Sequence, residues 1–144
     1  MATELLKPLA VLASWTALMW LWMYATRIPA MFRDKAIDLN RMTGGTGTDL
    51  DKLLPERVQW VAHNYNHLHE QPTVFYAVVL ALAMLGQGQQ INLGLAWAYV
   101  VLRILHSIWQ SVVNTIPVRL ALFALSTTAL GMLAISAVRA TLGL

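Results

Sequence analysis

Cysteine is absent from the chain's 144 residues, and charge is scarce: 10 Lys and Arg and 7 Asp and Glu make up 12%, against about a quarter in soluble domains. Without cysteine there can be no disulfide, no thiolate nucleophile and no cysteine metal ligand. Thiol chemistry stays open only where a substrate brings the sulfur. A net charge of +3, spread along the chain, excludes the basic patch that a nucleic-acid partner requires. No small-residue cleavage site follows the first apolar run, which is too long for a cleavable signal peptide. Internal repeats and low-complexity stretches are lacking too.

What is abundant is apolar surface, at 58% of residues. A bilayer-spanning helix needs about 20 mostly apolar residues, and four stretches qualify: residues 5–28, 56–85, 91–114 and 117–142. Pro55 and Pro117 stand where helices start. "GQGQQ" at 86–90 reads as a tight turn, and 33–55, with "TGGTGT" and most of the acids, reads as a long loop. Short connections make neighbouring helices antiparallel. The expected fold is an all-α integral membrane four-helix bundle, one domain over 1–144. Arg27, Arg33, Lys35, Arg41, Lys52 and Arg57 flank the first loop, and Arg119 the last turn. Positive charge collects on cytoplasmic loops, so 33–55 is expected in the cytoplasm and both termini outside it.

The exception to this greasiness is "HNYNHLHEQP" at 63–72. Ionisable side chains inside a membrane usually face the bundle interior with a partner. At 1.5 Å per residue, Glu70 lies ~20 Å and Arg103 ~16 Å from the cytoplasmic surface, and His67 and His106 lie at ~15 Å and ~12 Å. Arg103, His106, Gln110 and Asn114 recur at steps of three and four, as do His63, His67 and Glu70, so each set forms one stripe. Asn66 sits at the edge of the second. We expect a polar seam between the second and third helices, open to the cytoplasm, with Glu70 paired to Arg103. Three uses compete for it: an ion pair that only fixes packing, a pocket for an anionic small molecule, and a metal site on His63, His67 and Glu70. Against the metal stand the shortage of carboxylates and the nearby Arg103, and no metal is expected.

"RILHSIWQSVVNTIPVR" at 103–119, with "ER" at 56–57 and "HLHEQPTVFY" at 67–76, resembles the MAPEG family (membrane-associated proteins in eicosanoid and glutathione metabolism) in its bacterial form. The resemblance covers essentially the whole chain. It implies a homotrimer in the bacterial inner membrane, with glutathione as co-substrate held between subunits and passed to a lipophilic electrophile or hydroperoxide. Carried residue by residue, it makes Arg119 the catalytic group that stabilises the glutathione thiolate. Glu70, Arg103 and His106 become anchors of the peptide, Gln110, Asn66 and His67 secondary contacts, and Arg33 a group for a carboxylate. The chain departs from the pattern in several ways. The Arg57–Glu70 spacing is about three residues longer than in eicosanoid-forming members, and Leu120 follows Arg119 where prostaglandin E synthase members have Ser. His67 replaces an Asn, Gln110 replaces the Tyr of many members, and an Arg of the second helix has no counterpart. A non-catalytic binding or scaffold member, and a His-rich metal-binding member, remain as alternatives.

Overall fold

The computed structural model describes residues 2–33 and 43–144; Lys35 and Arg41, counted above in the charge bias, lie outside the described residues. Regular structure among the described residues is entirely helical. A 3-10 turn at Ala2–Leu5 leads into α1 (Leu6–Arg33), and a second at Asp49–Lys52 precedes α2 (Glu56–His67) and α3 (Gln71–Met84). Then come α4 (Gln90–Val112) and α5 (Ile116–Leu142). Thr3–Arg33, Gln90–Val112 and Ile116–Leu142 are each long and apolar enough to cross a membrane. Leu18, Leu21, Val101, Leu120, Leu125 and Ile135 point outward from these helices. Apolar surface on the outside as well as the inside of a helix marks a lipid-facing one. The chain folds as a membrane helical bundle.

The second leg departs from expectation. Where one helix over 56–85 was anticipated, the chain breaks at Leu68–Glu70 and restarts. Pro72 is the reason. Inside a continuous helix it would offer no N–H to the carbonyl of Leu68, and its ring would clash with that carbonyl. In the first turn of a new helix neither defect matters. Glu70, at φ −90° and ψ −97°, is where the direction changes. α1 also runs further than anticipated, to Arg33 rather than 28.

The interior is divided by character. At the end of the bundle holding α3, Leu5, Leu12, Phe75, Val79, Leu82, Tyr99, Leu130 and Leu133 form an apolar core. Phe75 and Tyr99 stack within it at 4.3 Å. At the end holding α2, the buried positions of α4 are polar: Arg103, His106, Ser107, Gln110 and Ser111. A smaller cluster of Met19, Val61 and Leu68 seals α1 against α2. One polar junction fixes three helices there. Trp15 Nε1 (α1) and Asn64 Nδ2 (α2) both donate to Ser107 Oγ (α4), at 3.0 and 2.7 Å.

Candidate functional site

The break in the second leg creates the site's first feature. In an unbroken helix the carbonyl of His67 would take the N–H of Gln71. Freed from that, it accepts Arg103 Nη2 at 3.1 Å. The Arg103 guanidinium lies 5.7 Å from the centre of the Phe123 ring, within the ~6 Å over which a ring face attracts a cation. Arg103 is 1% exposed, and its Nε and Nη1 have no partner among the described residues.

The expected Glu70–Arg103 pair is not formed. Glu70 instead accepts a hydrogen bond from His67 Nδ1 at 2.6 Å, with its side chain 66% exposed. The physical cause is again the break: the turn at 68–70 carries Glu70 off the face that α2 presents to α4. The depth match of His67 and His106 does hold, their rings lying 5.4 Å apart. His67 also stacks on Phe123 at 5.6 Å.

These groups wall a cleft of about 400 Å³ lined by His67, His106, Ile116, Arg119, Leu120 and Phe123, a volume in the range of small-molecule sites. His106 is buried and Arg119 half-buried. Arg119 Nη1 donates to Asn114 Oδ1 at 2.7 Å, while its Nε is buried without a partner among the described residues. One guanidinium and two imidazoles against three apolar side chains suit an anionic ligand with an apolar neighbour.

Of the residues singled out in the sequence, His67, His106 and Arg119 meet in this cleft, and Arg103 lies behind it on Phe123. Gln110 is buried on α4 with its Oε1 unpartnered among the described residues, and it does not line the cleft. Asn66 is exposed; the buried asparagine of α2 is Asn64, which holds Ser107. Arg33 lines a separate cleft of about 710 Å³ with Thr26, Pro29, Pro55 and Val58, between the end of α1 and the start of α2. His63 turns to Asp51, donating from Nε2 to its carboxylate at 2.8 Å. Among the described residues no group of three or more His, Asp or Glu is placed to hold a metal ion.

Phe123 was missed. It lies four residues, one helical turn, after Arg119, so the i,i+4 spacing carried the signal. Asp51 was missed as well. It accepts from Arg27 Nη2 at 3.2 Å as well as from His63, and Gln59 donates to its backbone carbonyl at 2.5 Å, so it fastens the loop to α1 and α2. Nearby, the Thr46 backbone N–H and hydroxyl donate to Asp49 at 2.7 and 3.0 Å. They hold its carboxyl below the ordinary carboxylate value.

No match is found among curated proteins or among solved structures. A family model described as the MAPEG family matches residues 5–139. With its helical membrane bundle and nearly whole-length match, the chain belongs to the MAPEG family and is, in general terms, a glutathione-related membrane protein.

Proposed function

We propose that the protein binds glutathione in the cleft of His67, His106, Arg119 and Phe123 and acts as a glutathione transferase or glutathione-dependent peroxidase on a lipophilic electrophile. The observation that carries this reading is Arg119 lining a half-apolar cleft of about 400 Å³. A guanidinium beside a thiol favours the anion and so lowers its pKa. With no cysteine in the chain, the reactive sulfur has to arrive with the substrate. In the transferase reaction the thiolate attacks an electrophilic carbon and the leaving group departs with the electron pair. In the peroxidase reaction it attacks a peroxide oxygen, the O–O bond breaks, and a second glutathione takes the oxidised sulfur to the disulfide. Arg119 stabilises the thiolate; His106 and His67 shape the wall. Glu70, Asn66 and Arg33 are proposed ligand contacts of the assembled protein; Arg103 and Gln110, buried within the subunit, are proposed to back the site rather than touch the ligand.

The assembly we propose is a homotrimer in a bacterial inner membrane, multi-pass, with both termini outside the cytoplasm. Two observations support self-association. Glu70 is largely exposed at the depth of the helix break, and a carboxylate facing lipid is costly. The clefts of Arg33 and Arg119 also share no lining residue, which fits a site completed by a neighbouring subunit.

The test is ultraviolet difference absorbance of the glutathione thiolate on purified, detergent-solubilised protein. Wild type should give the signal at millimolar glutathione, and Arg119→Ala should lose it while keeping its thermal transition. Absence of any binding to wild type replaces this reading with a non-catalytic binding member. The burial of Gln110 away from the cleft is the observation that favours that second reading.

A further inference from the structure

Asn114 is the one non-glycine residue with positive φ among the described residues, at 60°. It ends α4 by donating its backbone N–H to the Trp109 carbonyl at 2.7 Å, beside Val113, which uses the same carbonyl. Trp109 Nε1 reaches across to Thr115 Oγ1 at 3.0 Å and steadies the turn. A left-handed residue at this point is an ordinary helix stop, and glycine is its usual occupant because it lacks a Cβ. Asparagine tolerates the conformation less well than glycine. The backbone therefore gives no reason to prefer Asn, and the reason has to lie in its side chain.

That side chain holds Arg119. Among the described residues its Oδ1 is the sole side-chain acceptor of the guanidinium, and no carboxylate there forms an ion pair with Arg119. We infer that Asn114 is a positioning residue: it aims the Arg119 guanidinium into the cleft through a neutral acceptor, leaving its positive charge free for the ligand's anion. A carboxylate in the same place would grip the guanidinium more tightly, but it would cancel much of the field that the ligand feels. A glycine would close the turn and let the guanidinium swing. The left-handed backbone and the neutral oxygen are two requirements that Asn meets together. The link to a thiolate rests on the function proposed above; the positioning itself does not.

Three proteins decide it: wild type, Asn114→Gly and Asn114→Asp, each purified in detergent. Phenylglyoxal labelling of Arg119, followed by peptide mass spectrometry, needs no substrate. Asn114→Gly should fold with an unchanged or higher melting temperature yet label several-fold faster at Arg119, and Asn114→Asp should return the rate to the wild-type level. The pH profile of the thiolate absorbance then reads the field that the ligand feels. The bound glutathione pKa should rise by about one unit in both, through lost aim in the Gly variant and through charge cancellation in the Asp variant. A folded Asn114→Gly protein that labels at the wild-type rate overturns the positioning role, whatever glutathione does. Faster labelling with an unmoved thiol pKa overturns its service to the thiolate. Should wild type give no thiolate signal, the proposed function falls and the labelling rates still decide the role of Asn114.

Discussion

Ser107→Ala removes one oxygen and strands two donors. Ser107 is fully buried, Asn64 is 1% exposed, and Trp15 Nε1 is partly buried, so the freed N–H groups have little access to water. An unsatisfied buried donor costs about 1–3 kcal/mol in soluble proteins. Interhelical hydrogen bonds in a membrane bundle measure lower, about 0.6 kcal/mol on average and ~1.7 at most, because the unfolded chain in the membrane also finds partners. The membrane figure is the right one here, and two bonds then set the expected loss at about 1–3 kcal/mol. Reversible unfolding of the protein in mixed micelles by added dodecyl sulfate gives the number. Asn64→Leu on the Ser107→Ala background should cost less than the two single changes summed, by about 1 kcal/mol, since the bond they share is lost only once. A Ser107→Ala loss below about 0.3 kcal/mol, or strict additivity of the pair, would refute the claim that this junction ties α1, α2 and α4 together.

Further outcomes follow from the same geometry. Glu70→Gln should weaken self-association seen by light scattering in micelles. Unchanged association would remove the case for a subunit interface at the helix break. Asp49 has a folded pKa below its ordinary value because of the Thr46 backbone N–H and then the Thr46 hydroxyl. Its contribution to loop order is therefore complete above the ordinary carboxylate pKa and disappears as pH falls through the lowered value. Amide exchange at Thr46 should be faster in Asp49→Asn than in wild type at neutral pH, with the gap closing in acid. A gap that persists in acid contradicts the assignment. For orientation, cysteines at Thr43 and Gln89, both exposed, avoid the positive-φ glycines of the loop. An impermeant thiol reagent on intact cells should label position 89 and spare 43, and the reverse pattern inverts the topology.

Membrane helices are legible where apolar length alone decides the structure. α4 and α5 came within two residues of their expected bounds because nothing inside them competes with a continuous backbone ladder. The second leg was misread because hydropathy is blind to a missing donor. "EQPTVFY" is apolar enough to continue a span, and only Pro72 says that the hydrogen bonding must restart. That misreading then propagated to the site. Counting about 1.5 Å per residue matched His67 to His106 correctly, since His67 lies before the break in its leg and α4 is unbroken. The same count carried one turn further matched Glu70 to Arg103, and there it failed.

The pairing that replaced it could not be foreseen from residue types, because its acceptor is a backbone carbonyl. A buried arginine invites a search for a carboxylate, and the chain supplies one at the right depth. What satisfies part of Arg103 is the His67 carbonyl, which at the helix stop keeps only a long 3.4 Å bond from the Glu70 N–H in place of the Gln71 N–H. The order of causes is then clear. Pro72 ends the ladder, the ended ladder frees a carbonyl, and that carbonyl anchors the cation. The anchored cation stacks on Phe123, which with His67 and Arg119 walls the cleft. A polar run that looked like a ligand set in the sequence divides its labour in the fold. His63 fastens a loop, Asn64 fastens a helix, and only His67 reaches the cleft.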